Sequence, residues 1–211
     1  MSDAACLILL DGELGDPAEV RRAARRCKGV LCADGGLRHA RKLKIEPDFV
    51  VGDMDSLPHP LPRWKKTVYW CDFDEQRSDF EKALELAAGL GCARAYVAGA
   101  WGGRLDHCLV NAALAAQPRA ELEVLLVGRG TAVCLGPGRH QVPLPAGRRF
   151  SLLALPQARV TLSGARYGLK DETLVQGSRG LGNEALGPIG LEIREGRVWL
   201  FVDPARAPRV H

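Results

Sequence analysis

Two carboxylates, Asp53 and Asp55, are the residues of this sequence whose type and spacing best suit chemistry. They lie one residue apart in the motif GDMDS (residues 52–56), directly after the apolar residues 49–51. If strand geometry continues through the motif, both side chains leave on one face, because strand side chains alternate. Like charges so placed favour a cation between them, and Mg²⁺ takes carboxylates together with substrate phosphates. A solvated turn is the alternative, since Gly, Asp and Ser are ordinary turn residues.

The elements that must position this pair are strands that alternate with helices. Short apolar runs predict strands at residues 6–10, 30–33, 49–51, 67–70, 94–98 and 122–127. Capping and turn signals predict helices over residues 17–28, 37–44, 78–88 and 105–116. This alternation predicts an α/β fold, with a mainly parallel sheet flanked by helices.

Other acidic and glycine-rich clusters also follow predicted strands. Asp34 precedes two glycines, Asp79 opens a helix, and the motif GAWGGRLDH covers residues 99–107. Ligands of open α/β sheets bind outside the carboxyl ends of the strands, so we expect these segments to converge on one rim. These clusters also have plainer explanations. Asp34 could lie in an ordinary turn, and Asp79 could simply interact favourably with the helix dipole.

The glycine motif indicates phosphate chemistry. Gly102 and Gly103 let backbone N–H groups approach phosphate oxygens at a helix start, although a tight loop is the alternative. Arg104 can pair with a phosphate as a fork of donors, whereas His107 is expected to pack or hydrogen-bond rather than act as a base. With several carboxylates, no Ser/His/Asp arrangement and no Walker A motif, the sequence favours metal-assisted transfer of a phosphate-containing group.

Composition and charge narrow the class of protein. The chain has 211 residues, of which 46% are hydrophobic and 26% charged, and its net charge of +4 gives no argument for a nucleic-acid partner. No run approaches the roughly 20 apolar residues of a membrane span, and no basic segment precedes the first apolar run as in a signal peptide. Seven cysteines without a CxxC motif fit reduced thiols in a cytoplasmic protein, rather than disulfides or a zinc site.

The pattern changes from about Gly136 onward. Short apolar runs follow one another at residues 150–155, 160–162, 189–193 and 198–202, without a helical signal. Glu195 and Gly196 predict a hairpin turn between the last two of these runs. We therefore expect two domains, an α/β domain over residues 1–135 and a small all-β domain over residues 136–211.

Several motifs occur in an informative order: ADGG (33–36), PDFVVGDMDSL (47–57), SDFEKAL (78–84), residues 99–107 with Asn111, then GLK (168–170) and NE (183–184). Their order and spacing resemble those of the thiamine pyrophosphokinases, over most of the chain. The resemblance implies an α/β catalytic domain that binds the nucleotide, a C-terminal β-sandwich that binds thiamine, and a homodimer.

By the same resemblance, the enzyme uses Mg²⁺ and ATP to transfer pyrophosphate to the hydroxyl of thiamine, giving thiamine diphosphate and AMP. Asp53, Asp55 and Asp79 would bind the metal and, with Asp106, take part in catalysis. The nucleotide would contact Asp34, Gly35, Gly36, Gly102, Gly103 and Arg104. Thiamine would contact Tyr167, Lys170, Asn183 and Glu184.

Three positions depart from the family pattern and leave the acceptor open. Gln76 stands where an Asp is frequent, with Asp72 or Asp74 as possible substitutes. Asp171 replaces an aromatic residue after GLK, and Gly182 replaces the Ser of the motif SNE. Two alternatives therefore remain. One is a pyrophosphokinase for another hydroxymethyl heterocycle such as a pterin, and the other is a non-catalytic protein that binds a nucleotide or thiamine diphosphate.

Overall fold

The computed structural model describes residues 4–204 of the chain. Contacts divide the chain into two units, with the boundary between Gly128 and Arg129. The sequence pattern placed this boundary at residues 135–136. The difference arises because the strand Thr131–Leu135 pairs with residues 198–202, near the end of the second unit.

The first unit is built on a six-stranded parallel sheet. Its strands are β1 (Ala5–Leu9), β2 (Gly29–Ala33), β3 (Phe49–Gly52), β4 (Val68–Cys71), β5 (Arg94–Ala98) and β6 (Glu123–Val127). They lie in the order β6-β5-β1-β2-β3-β4, and all five pairings are parallel. The predicted strands and their parallel arrangement are confirmed. Because the chain crosses from β4 to the far side of β1, the carboxyl ends of β1 and β5 border the crevice where such sheets bind ligands.

Four α-helices connect these strands. They are α1 (Pro17–Ala24), α2 (Leu37–Leu43), α3 (Asp79–Gly89) and α4 (Leu105–Ala116). Asp16 caps α1 by accepting from the N–H of Ala18 at 2.8 Å, and Ser78 caps α3 by accepting from the N–H of Glu81 at 3.2 Å. Such caps satisfy N–H groups that have no partner inside the helix. No helix within residues 4–204 is long and apolar enough to cross a membrane.

The strands of the first unit are buried on both faces. Leu7, Ile8 and Leu9 are consecutive in β1, and all three are fully buried. Since strand side chains alternate between faces, this burial explains why the strands read as continuous apolar runs. Helix α4 differs, because its apolar residues Leu105 and Leu109 are exposed in the first unit.

The described part of the second unit contains strands and no helix. These strands are β7 (Thr131–Leu135), β8 (Gly138–Val142), β9 (Arg149–Ala165), β10 (Leu169–Val175) and β11 (Asn183–Val202). Strand β11 pairs with β7, β8 and β9, and β10 pairs with β9. Phe150, Leu152, Ile189 and Leu191 belong to a separate hydrophobic core, so this half is all-β as the sequence pattern predicts.

The predicted hairpin turn at Glu195 and Gly196 is wrong. Both residues lie inside β11, which continues from Asn183 to Val202. Residues on both sides of them pair with β9, with Ile193 opposite Val160 and Val198 opposite Ala154, so the chain does not reverse there. Gly196 has a φ of +78°, and the pairing register with β9 shifts around it, as at a β-bulge. In the sequence this glycine gives a turn signal.

Candidate active site

Three aspartates converge where β2 and β3 end. Asp34 follows β2 in a one-turn 3₁₀ helix, and Asp53 and Asp55 lie in the loop after β3. One carboxylate oxygen from each of the three lies within 4.8 Å of the other two. The convergence follows from the parallel sheet, because adjacent parallel strands bring their carboxyl ends to the same edge.

The strand geometry expected for Asp53 and Asp55 is not what brings them together. Strand β3 ends at Gly52, and Met54 adopts a left-handed conformation with a φ of +70°. The N–H of Asp55 donates to Asp53 Oδ1 at 3.2 Å, as in a turn closed by an Asp side chain. The local backbone is therefore a turn, and the carboxylates meet because this turn lies beside Asp34.

Asp34 is the buried member of the group. Its side chain is only 4% exposed, and its Oδ2 accepts from the N–H of Ser56 at 3.0 Å. Burial raises the pKa of Asp34, the contacts with Ser56 lower it, and the nearby charges of Asp79 and Asp55 raise it. Its Oδ1 is buried and has no hydrogen-bond partner in the described part of the chain.

A divalent cation fits this arrangement. Hard cations such as Mg²⁺ take oxygen ligands, and three carboxylates supply them here. A buried acceptor without a donor is costly unless something positive meets it, and Asp34 Oδ1 is such an acceptor. The group that could hold the metal is therefore Asp34, Asp53 and Asp55, whereas the sequence pointed to Asp53, Asp55 and Asp79.

Asp79 lies beside this group, at the first position of α3. A Cβ added at Gly52 would lie 2.9 Å from Asp79 Cγ and 3.0 Å from Asp34 Cβ, so only glycine leaves room for both side chains. Burial raises the pKa of Asp79, and the ammonium of Lys82 lowers it. Asp79 thus contributes a further negative charge at the edge of the cluster.

Lys82 was missed by the sequence reasoning. It is only 5% exposed, and its Nζ donates to the carbonyl of Asp72 at 2.8 Å and to Asp79 Oδ1 at 3.3 Å. Charged side chains are almost never fully buried unless paired. Its spacing of three residues after Asp79 on one helix was the available signal.

A cavity of about 480 Å³ opens beside Asp34 and Asp53 of the cluster, within the first unit. Its wall includes six carboxylates, those of Asp11, Asp34, Asp53, Asp74, Glu75 and Asp79. It also includes two basic side chains, Arg77 and Lys82, together with the polar residues His107 and Asn111. The cavity is therefore strongly acidic, and both of its basic groups are already paired with acids.

The loop that carries Gln76 is organised around Arg77. Its guanidinium donates to Asp74 at 2.7 Å, to Asp72 at 3.1 Å and to Glu85 at 2.5 Å. Gln76 is exposed, and its N–H donates to Asp74 Oδ1 at 2.9 Å. Asp72 and Asp74, the suggested substitutes for the frequent Asp at position 76, are therefore both engaged by Arg77.

The four glycines predicted to approach phosphates are needed for steric room or for a positive φ. A Cβ at Gly36 would collide with the carbonyl of Leu9, so Gly36 permits close packing on β1. One at Gly35 would lie 2.6 Å from Asp11 Cγ, so Gly35 leaves room for that side chain. Gly102 and Gly103 have φ values of +85° and +73°, which favour glycine. Of these four, the cavity wall includes Gly35.

Arg104 and Asp106 form an exposed ion pair with each other. Arg104 Nη2 donates to Asp106 Oδ2 at 2.5 Å and its Nε to Oδ1 at 3.1 Å. This pairing lowers the pKa of Asp106 to about 2. The residues of α4 that line the cavity are His107, in its first turn, and Asn111, in its middle.

The residues predicted to contact thiamine lie in the second unit. Asn183 is buried, and its amide donates to the carbonyl of Tyr167 at 2.8 Å and accepts from the N–H of Tyr167 at 3.1 Å. Asn183 thus fixes the loop that presents the exposed Tyr167 ring, and Glu184 follows it directly. Lys170 is exposed on β10.

Asp171, which stands where the resemblance implies an aromatic residue, is held by two arginines. Arg159 donates to both of its oxygens at 2.9 and 2.7 Å, and Arg194 donates at 3.1 Å. The hydrogen bonds from Arg159 lower the pKa of Asp171. Gly182, the other departure in this unit, has a φ of +71°, a conformation that a Ser would adopt only with strain.

Comparisons with known proteins identify the family of the chain. The family described as thiamin pyrophosphokinase, catalytic domain, matches residues 20–126, which is just over half of the chain. Among curated proteins, none matches the sequence.

Solved structures share the fold over nearly the whole chain. A thiamine pyrophosphokinase from Bacillus subtilis superposes with a TM-score of 0.82 at 18% identity, covering 96% of this chain and 100% of that one. One from Geobacillus thermodenitrificans gives 0.80 at 22% identity, with 96% and 99% covered. One from Candida albicans gives 0.80 at 15% identity, with 95% and 90% covered.

Proposed function

The chain belongs to the thiamin pyrophosphokinase family and has its thiamine diphosphokinase activity, and we propose how its own residues carry out the reaction. The hydroxyl oxygen of thiamine forms a bond to the β-phosphorus of ATP, the bond from that phosphorus to the α,β-bridging oxygen breaks, and AMP leaves. The observation that carries this proposal is the cluster of Asp34, Asp53 and Asp55, whose buried Asp34 Oδ1 has no donor within the described residues.

Asp34, Asp53 and Asp55 would hold Mg²⁺, which when bound offsets the charge of the phosphate oxygens. The chain's own task is then mostly positioning, because phosphoryl transfer requires little covalent help from the protein. Lys82 keeps Asp79 paired and in place at the edge of the cluster. Arg77 fixes the loop that forms one wall of the cavity.

The proton of the attacking hydroxyl has to pass to an acceptor near the reacting phosphorus. Asp106 is poorly suited to this step, because its ion pair with Arg104 lowers its pKa to about 2 and so makes it a weak base. A carboxylate of the cavity wall is better placed. The role of Asp106 is then to orient Arg104, the fork donor for a phosphate.

We assign binding of the acceptor to the second unit, which we propose to be a β-sandwich. Its contacts with the acceptor would come from Tyr167, Lys170, Asn183 and Glu184. The exposed ring of Tyr167, with the guanidinium of Arg166 5.9 Å from its centre, supports a role in contacting a planar ligand. Asn183 supports that role by fixing the backbone of Tyr167.

We further propose that the enzyme is a cytoplasmic homodimer. Leu105, Leu109 and Val110 leave an exposed apolar face on α4 of the first unit, and a second copy of the chain would cover it. All seven cysteines are free thiols, which fits a reducing compartment.

The test is an assay of AMP release from ATP and Mg²⁺ with thiamine, a pterin alcohol and no acceptor. We expect AMP and thiamine diphosphate to form in equal amounts with thiamine. AMP formation with the pterin alcohol alone would move the assignment to a different heterocycle. Binding of ATP and thiamine without turnover of either acceptor would instead indicate a non-catalytic protein.

A further inference from the structure

Phe73 is an exposed aromatic ring in the wall of the acidic cavity. Its side chain is 73% exposed, although it lines the same cavity as Asp53 and Asp79. The other apolar side chains of that wall, among residues 4–204, are buried: Leu10, Ala33 and Phe80. Phe73 is therefore the large apolar surface of the cavity that a ligand can still remove from water.

The backbone around Phe73 is held in place. The N–H of Asp74 donates to Asp72 Oδ1 at 3.0 Å, and the N–H of Gln76 donates to Asp74 Oδ1 at 2.9 Å. Arg77 then bridges Asp72 and Asp74 with bonds of 3.1 and 2.7 Å. Because this loop is tied together before any ligand arrives, little conformational freedom remains to be lost when a ring settles on Phe73.

The exposed apolar ring of Phe73 in this cavity wall complements the flat face of a heterocycle. We infer that Phe73 is the surface on which the heteroaromatic ring of a substrate stacks. The inference rests on the proposed function, in which both substrates contain such a ring, the base of ATP and the pyrimidine of thiamine. Stacking of a base on an aromatic side chain typically strengthens binding by about tenfold or more.

The experiment measures KM and kcat for both substrates in Phe73→Ala, Phe73→Tyr and the matched control Trp70→Ala. Trp70 is also an exposed aromatic residue of this segment, but it does not line the cavity. In Phe73→Ala we expect KM for one substrate to rise about tenfold with little change in kcat, as for a contact made equally in ground and transition states. Phe73→Tyr should restore the KM, and Trp70→Ala should leave it unchanged.

The substrate whose KM rises identifies the stacked ring. A higher KM for ATP assigns the ring to the base, and a higher KM for thiamine assigns it to the pyrimidine. Unchanged KM values for both substrates in Phe73→Ala would overturn the inference. Because the side chain is exposed, the variant should fold normally, and its melting temperature is the check.

Failure of the proposed function has a different signature. In that case the wild-type chain would release no AMP with any acceptor. The inference is then decided by calorimetry, from the dissociation constants of α,β-methylene ATP with Mg²⁺ and of thiamine, for the wild type and Phe73→Ala. A loss of affinity of about tenfold in the variant supports stacking, and equal constants, or no binding by the wild type, overturn it.

Discussion

Replacing Asp53 by Asn separates two effects of its negative charge, which are repulsion of the neighbouring carboxylates and binding of a metal ion. Asp53 has two carboxylate neighbours, Asp34 and Asp55, with oxygens within 4.8 Å. At that distance two unit charges repel by about 0.9 kcal/mol in water and by about 3.5 kcal/mol at an effective dielectric constant near 20. Asp53 is exposed, so the lower figure applies. Removing its charge then relieves about 2 kcal/mol of repulsion over the two neighbours.

We therefore expect the metal-free variant to be at least as stable as the wild type, with a melting temperature about 2–4 °C higher for each kcal/mol relieved. Mg²⁺ should stabilise the wild type by about 2.7 kcal/mol at 100 times its dissociation constant. The variant has lost one metal ligand, so its Mg²⁺-dependent shift should be much smaller. Turnover should fall by at least about 100-fold, since even residues that only support metal ligands change affinity or activity by 10- to 100-fold.

The assay combines melting curves in chelator and in Mg²⁺ with AMP release under the same conditions. Glu121→Gln is the matched control, because it removes one exposed charge of the first unit away from the cluster and the cavity. The reasoning is refuted if Asp53→Asn keeps both its turnover and its Mg²⁺-dependent shift in melting temperature. It is also refuted if the metal-free variant is clearly less stable than the wild type.

Three further variants test other parts of the structure. Lys82→Met leaves Asp79 without its cation and the carbonyl of Asp72 without its donor. We therefore expect the unfolding free energy to fall by about 1–3 kcal/mol and turnover to fall as well. An unchanged melting temperature would contradict this. Leu109→Glu places a charge on the exposed apolar face of α4 and should give a monomer in sedimentation, whereas Leu90→Glu, at the end of α3, should not. A dimeric Leu109→Glu variant would exclude that face.

Most of the first unit could be predicted from the sequence because its physical signals are local. The apolar runs of β1 and β2 mark strands buried on both faces, and Asp16 and Ser78 mark the helix starts that they cap. The long strand β11 was divided in two, because Gly196 signals a turn while the pairing that keeps the strand continuous comes from distant residues.

The acidic cluster shows that the parallel sheet, and not the strand geometry expected for the loop, brings these carboxylates together. The loop at Asp53 and Asp55 is a turn and not a strand, yet their carboxylates meet Asp34 because β2 and β3 end at one edge. Lys82 could not be found in the same way. Its importance depends on burial against the carbonyl of Asp72, a contact that arises only once the loop after β4 lies against α3.

The charges of the cavity wall constrain how its substrate arrives. Six carboxylates and two basic side chains leave a formal charge of −4 with His107 neutral, and Arg77 and Lys82 are already paired with acids. A polyphosphate is itself strongly anionic, and like charges close together cannot all remain ionised without cations between them. Neither basic group is left over to neutralise it. We therefore expect metal ions to bring the phosphates and the acidic cluster together, with Asp34 Oδ1, buried and unpaired within the described chain, as a ligand of one of them.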